Sequence, residues 1–284
     1  MSFLDHIRTC NRHDLGGFRA FLVGGERVGW VRHALAEHLR RWPDRFAVGM
    51  DRIDLADRLD DFDRRSTAIE EILPDLIAAG FVKRRTGEFY PVTNRWGEVP
   101  RFKIDRGAIV AFGCAAYGVH MNGFVRTPGG LKMWVARRAA TKPTYPGQLD
   151  NIVAGGQPIG LGPTENLIKE CGEEAGIPPA LAATAKQIGA MTYCLETPEG
   201  LRPDVAFLYD LELPADFVPV ATDGEVEAFM LWPVAEAARV VDTSFDFKFN
   251  CNLVIIDFLI RHGLIGPDHP DYVALVRGLH APHP

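Results

Sequence analysis

Between Ala154 and Ile177 the chain reads AGGQPIGLGPTENLIKECGEEAGI, and this stretch restricts the fold more than any other. A Gly-Gly pair leads to Pro163, then a run of helix-compatible residues, then Gly176 followed by Pro178 and Pro179. Proline suits the first turn of a helix, where its missing N–H goes unused. Gly176 can end the helix in the left-handed conformation, and the two prolines block its continuation. Wound at about 100° per residue, the segment gathers Glu170, Glu173 and Glu174 within about 100° of one face. Leu167, Ile168, Cys171 and Ala175 take the neighbouring arc and can pack on a core. Carboxylates crowded in this way repel one another. A hard divalent cation such as Mg²⁺ would neutralise them, and the glycines would let backbone approach a ligand closely. A solvated acidic face has the same spacing, so spacing alone leaves both readings open.

The segment resembles the Nudix box, G-x5-E-x7-R-E-U-x-E-E-x-G-U, with U an apolar residue. Gly155 takes the box glycine, Lys169 the arginine, and Glu170, Glu173 and Glu174 the metal-binding glutamates. Gly176-Ile177 closes the box. Two positions depart from it. Lys169 lacks arginine's planar fork, and Leu161 stands where the first glutamate is expected, so that position cannot assist catalysis. The resemblance implies Mg²⁺, with Mn²⁺ as a substitute, held by the three glutamates and the Gly155 carbonyl. The same residues, with Lys169, would carry the catalysis.

Composition narrows the remaining choices. At 284 residues the chain suggests two domains. A hydrophobic content of 47% suffices for packed cores. A net charge of −6 provides no basic field for nucleic acid. The five cysteines are scattered without a C-x-x-C pair, which fits a reducing compartment and no zinc site. The N-terminus is charged too early for a signal peptide, and no apolar run nears the ~20 residues of a membrane span. The expectation is a soluble, cytoplasmic protein. Its oligomeric state stays open, a homodimer included.

Read in order, residues 3–12 form an amphipathic helix. Residues 19–31 read as strand, Gly-Gly turn, strand, and 32–41 as a helix stopped at Trp42-Pro43. Short strands follow at 46–48 and 53–55, then a helix from Arg64 to Ala79 in which Pro74 predicts a bend or early break. Phe89–Val92 is another strand. Arg106 to Val125, apolar and glycine-punctuated, reads as strands of a sheet core, and Leu131 to Arg137 as a strand ending in charge. A basic loop, Arg138 to Gly147, precedes the Gly-Gly turn. Lys186–Thr197 and Arg202–Leu213 read as an antiparallel pair. Asp223-Gly224 reads as a turn and Glu225–Trp232 as a strand, with helices at 234–240 and 252–262.

The resemblance extends beyond the box. GVHMNGFV, LKMWVARRAATKPTYPGQLDNIVAGG and FDFKFNCNLVIIDFLIRHG are together similar to the Nudix hydrolases associated with thiamine pyrophosphokinase. This implies an α/β (α+β) fold: a Nudix α/β/α sandwich over 111–284, with an N-terminal α+β module of unassigned function over 1–110. The position of that module, and not the resemblance, makes it a candidate wall of the substrate pocket. The resemblance also implies hydrolysis of thiamine diphosphate, or of its oxidised forms, to the monophosphate. Arg137, Arg138 and Lys142, at a strand end and loop, are candidates to hold the diphosphate, which needs cations as well as metal. Tyr145 is a candidate to stack on a ring. Glu225, which shares strand parity with Glu227, is a candidate additional metal ligand. Asp150 reads as a loop brace and His120 as a buried, hydrogen-bonded histidine. Three other readings share the fold. They are a hydrolase of ADP-ribose or another nucleoside diphosphate derivative, a non-catalytic binding module, and an isopentenyl-diphosphate isomerase, for which no cysteine–glutamate pair stands out.

Overall fold

The computed structural model describes residues 1–222 and 224–284, so the Asp223 half of the expected turn lies outside the described residues. Helix α1 (Phe3–Cys10) precedes a small sheet of β1 (Phe18–Val23), β2 (Glu26–Arg32), β3 (Phe46–Val48) and β4 (Arg52–Leu55), with α2 (His33–Leu39) between β2 and β3. The strands lie in the order β2-β1-β4-β3. Helix α3 (Phe62–Ala78) crosses to a hairpin of β5 (Phe89–Val92) and β6 (Phe102–Asp105). The expected break at Pro74 does not occur. The helix runs through it, with Pro74 on the exposed side while Ile69, Ile72, Leu73 and Leu76 are buried. Burial of that apolar stripe outweighs one lost hydrogen bond.

The second sheet is built from β7 (Ala116–Thr127), β8 (Gly130–Arg138), β9 (Leu149–Asn151), β10 (Val153–Gly156), β11 (Lys186–Thr197), β12 (Gly200–Glu212) and β13 (Val226–Pro233). Its main path is β11-β12-β7-β8-β13, with β10 beside β7 and β9 beside β8. β12 and β7 run parallel, and β11–β12 is the antiparallel pair the pattern predicts. Strand parity sorts the core into two layers. Tyr117, Val119, Met121, Phe207, Tyr209 and Leu211 face α4 (Pro163–Ala175) and α5 (Pro179–Ala182). Phe124, Met191, Tyr193, Ala206 and Leu208 face α1, α6 (Val234–Thr243), α7 (Cys251–Arg261) and α8 (Tyr272–Gly278). The result is a mixed α/β molecule with helices on both faces of this sheet, as expected.

One stretch departs from its pattern. Arg106 to Cys114 is a compact turn, not a strand; the strand begins at Ala116. The buried Asp105 carboxylate accepts the N–H groups of Thr86, Gly87 and Gly107, which curls the chain. Gly113 then reverses it at φ 58°. Ala108, Ile109, Ala111 and Phe112 are buried in the N-terminal core from this turn, so their apolar character reflects burial and not a strand.

Candidate active site

Helix α4 begins and ends as its sequence dictates. Pro163 occupies the first turn, the Glu165 carboxylate accepts the Gly162 N–H at 3.3 Å, and Gly176 closes the helix at φ 62°. Strand β10 lies along one row of this helix. Asn166 Nδ2 donates to the Gly156 carbonyl at 2.8 Å, and the Ala154 N–H donates to Glu174 Oε2 at 2.9 Å. Between them, a Cβ on Gly155 would collide with the Glu170 carboxyl group. Residues 166, 170 and 174 are spaced by four, so successive residues of the strand meet successive turns of the helix. This contact requires glycine at 155.

The carboxylates differ in their surroundings. Glu170 has a side chain only 14% exposed, and burial raises its pKa despite the adjacent Lys169 ammonium. Glu173 is half exposed and lies 2.6 Å from Lys169 Nζ, a helical i,i+4 pair; the same ammonium is 3.3 Å from Glu170. Burial lowers the Lys169 pKa, but its two glutamates outweigh that and raise it. Lys169 thus supplies part of the neutralisation that the sequence pattern demands. Among the described residues no three His, Cys, Asp or Glu side chains form a ready-made cage for an ion. The donor set still fits a hard cation. It offers carboxylate oxygens on adjoining helix positions, one of them desolvated, and a glycine that leaves room against Glu170.

The other expected residues gather around the loop from 139 to 148. Arg138 lies 2.7 Å from Asp150 and also donates to the carbonyls of Thr144 and Tyr145. Arg137 donates to the Gly147 carbonyl at 3.1 Å. Lys142 pairs with Glu225, tying the loop to the start of β13. Tyr145 has φ 53° and packs its ring 5.3 Å from Phe249. Asp150 is buried, which by itself would raise its pKa; Lys248 and Arg138 prevail and hold it below the usual range. His120 sits inside the neighbouring polar network. Its Nδ1 is 3.0 Å from Asn151 Oδ1 and its Nε2 is 3.2 Å from Asn250 Nδ2.

Three features of the site escape sequence inspection. The Tyr90 hydroxyl fills the place where a Cβ of Gly156 would be, and the Ile159 N–H donates to the Phe89 carbonyl at 2.9 Å. The β5–β6 hairpin is therefore fastened beside the Gly155-Gly156 backbone. Trp96, from the loop between these two strands, packs 4.7 Å from Tyr117 and 4.8 Å from Phe207, whose rings stack at 11°. Tyr117 accepts the Gln157 N–H on its carbonyl, so this aromatic group borders the glycine turn. Gly156 was the available signal, because a second glycine marks a close approach. Its partner lies 66 residues upstream, beyond any local spacing rule.

Comparison with known proteins gives the following. A family described as "Domain of unknown function (DUF4743)" matches residues 2–116. "Nudix hydrolase 24, chloroplastic" of Arabidopsis thaliana is 41% identical over 281 residues, covering 98% of this chain and 77% of that protein. "Nudix hydrolase 20, chloroplastic" of the same organism is also 41% identical, over 288 residues, with the same coverage. "Uncharacterized protein YJR142W" of Saccharomyces cerevisiae is 34% identical over 280 residues, covering 90% of this chain and 81% of that protein. Among solved structures, DR0079 from Deinococcus radiodurans superposes with a TM-score of 0.45 at 21% identity, covering 59% of this chain and 97% of that one.

Proposed function

The chain belongs to the Nudix hydrolase family, and on that premise we propose that it hydrolyses thiamine diphosphate or an oxidised form of it to the monophosphate and phosphate. The carboxylate row of α4, seated against the backbone of β10, is the observation that carries the diphosphate chemistry. Glu170, Glu173, Glu174 and the Gly155 carbonyl would hold Mg²⁺. When bound, the ion neutralises charge on the phosphate oxygens. A glutamate of the row takes a proton from the attacking water, whose oxygen bonds to phosphorus as the bridging P–O bond breaks. The leaving monophosphate keeps the bridging oxygen. Lys169 orients Glu170 and Glu173 through the contacts it already makes. Arg137, Lys142 and Tyr145 would contact the substrate farther along, through the loop that they shape, while Arg138, paired with the buried Asp150, holds that loop in place.

The organic group is argued from the aromatic border. Trp96 is 42% exposed and packs on the buried Tyr117 and Phe207, and Tyr117 accepts the Gln157 N–H on its carbonyl, so an open aromatic side chain lies on the strand that borders the glycine turn. A thiazolium cation suits an aromatic face, with an attraction of roughly 0.5–2 kcal/mol. The similarity to thiamine-associated Nudix hydrolases supports the same substrate. The test is kcat/KM for thiamine diphosphate, its oxo and oxy forms, ADP-ribose and several nucleotides at one Mg²⁺ concentration. At least one thiamine compound is expected to lead. A tenfold advantage for ADP-ribose or a nucleotide over every thiamine compound would leave only the family assignment standing.

A further inference from the structure

The turn after β6 carries Arg106. Its Nη1 lies 2.8 Å from Glu88 Oε2, and its guanidinium stands 5.8 Å from the centre of the Tyr90 ring. Tyr90 is the residue seated against Gly156, one position from the glycine that faces Glu170. The β5–β6 hairpin therefore holds Arg106 in the electrostatic neighbourhood of the α4 carboxylates. Arg106 is thus linked through the Tyr90 ring to the Gly155-Gly156 backbone that lies against Glu170.

Two contrasts give this arginine its meaning. Arg138 is an arginine used as a brace: its side chain is 12% exposed, its Asp150 partner 7%, and it also bonds two backbone carbonyls. Arg106 keeps 53% of its side chain open, and its carboxylate partner Glu88 is 32% exposed. Lys169, the cation within the box helix, is already shared between Glu170 and Glu173. A diphosphate entering beside Glu88, Glu170, Glu173 and Glu174 needs an accessible cation, and a guanidinium fork matches two phosphate oxygens at once.

We propose that Arg106 is a substrate-binding residue supplied by the N-terminal unit, which exchanges Glu88 for the diphosphate of the substrate. The inference rests on the reading that this site cleaves a diphosphate, and is independent of which organic group is attached. It gives the region matched by the domain of unknown function a part in the chemistry: that region delivers a phosphate-binding cation to a site whose carboxylates come from α4.

The test uses the full chain and methylenediphosphonate, which cannot be hydrolysed at its P–C–P bridge, with Mg²⁺. Binding is measured by calorimetry and folding by thermal melting for the wild type, Arg106→Ala, Arg106→Lys and Glu88→Gln. Arg106→Ala is expected to weaken binding roughly tenfold or more, the scale of one charge-assisted contact. Arg106→Lys should fall between it and the wild type. Glu88→Gln should bind at least as tightly as the wild type, because Glu88 competes for the guanidinium. For whichever diphosphate the substrate panel selects, KM should rise more than kcat falls in Arg106→Ala. A folded Arg106→Ala protein that binds like the wild type overturns the proposal. So does an equal loss of binding in Arg106→Ala and Glu88→Gln with matching falls in melting temperature, which identifies the pair as a brace. A wild type that neither binds the probe nor cleaves any diphosphate defeats the parent reading, and this inference with it.

Discussion

At the residue scale, Glu170, Glu173 and Glu174 share a helix face but do not share surroundings. Glu170 is desolvated against Gly155, Glu174 accepts the Ala154 N–H, and Glu173 stands in solvent on Lys169. Glutamine keeps the size of each side chain and removes its charge. Glu173→Gln and Glu174→Gln are each expected to lower turnover at least about a hundredfold, the scale of losing one key electrostatic group. The fold should survive, since the amide oxygen introduced by Glu174→Gln can still accept the Ala154 N–H. Steady-state rates on a cleaved diphosphate, with circular dichroism as a folding control, check this; near-normal rates in a folded variant remove that residue from the mechanism. Lys169 is read as an orienting cation. Lys169→Ala should therefore harm activity more than Lys169→Arg, since arginine can also span Glu170 and Glu173. The reverse order would require a role only an ammonium can fill. The shared face of Glu170, Glu173 and Glu174 was legible in the sequence, because helical geometry fixes it whatever surrounds the helix; the row of Asn166, Glu170 and Glu174 along β10 was not, because it depends on where that strand lies. Arg106 was not, because no periodicity links it to Glu170.

At the scale of elements, a buried polar network ties β7, β9, β11, β12 and α7 together. It runs from Asn151 through His120 and Asn250 to the Tyr193 hydroxyl, which donates to Asp204 at 2.9 Å. Burial, assisted by Lys248, pushes the His120 pKa down to about 4, while Asp150, Asn151 and Asp204 oppose the shift. An unfolded histidine titrates near 6.5. Between these values the unfolded chain binds a proton that the native state refuses, so stability falls as pH drops from about 6.5 towards 4. The expected slope from this group is at most about 1.4 kcal/mol per pH unit. Asp150, whose native pKa is lowered, acts the same way in a more acidic window, losing its contribution as pH falls below the usual carboxylate range. Urea unfolding at pH 7, 6 and 5 should show a steeper loss for the wild type than for His120→Gln. His6 and His283, also shifted down by burial, remain in both proteins, so only the difference in slope is read. Parallel curves would show that His120 is not the group responsible. The sequence identified His120 as a buried histidine, but the network spans five elements and becomes visible only in the sheet order. The turn at Arg106–Cys114 was hidden for a related reason: apolar content reports burial, and Asp105, not periodicity, decides that the chain curls there.

At the scale of the whole molecule, the N-terminal segment and the large sheet share one core. Phe3, Ile7 and Cys10 of α1 are buried among residues of α6, α7 and α8, not with the small sheet that follows them in sequence. His6 Nε2 lies 2.6 Å from the Val241 carbonyl, and Asn11 Nδ2 donates to the Gly278 carbonyl at 3.2 Å. Farther along, Phe18 is buried with Cys194 and Leu201, and Arg32 reaches the Thr197 carbonyl and Glu196 on the β11–β12 hairpin. A chain beginning at residue 111 would retain the α4 carboxylates and every strand of the large sheet, yet it would leave these surfaces open. Phe3 and Ile7 alone are worth roughly 1.5–3 kcal/mol each on burial, and the hydrogen bonds and the hairpin contacts add to that. Against a total stability of about 5–15 kcal/mol for a typical native protein, the loss is large enough to unfold the remainder or drive it to aggregate through its exposed apolar face. The full chain is therefore expected to melt cooperatively, while residues 111–284 alone should be insoluble or melt at least about 10 °C lower, beyond the shift of a single-residue change. Restoring α1 should recover more stability than its length suggests, because residues 3–10 contribute three buried side chains to the core. Thermal melting and size-exclusion of the two chains make the comparison. If residues 111–284 form a monodisperse protein melting within a few degrees of the full chain, the shared core contributes little, and the N-terminal unit matters to the active site alone.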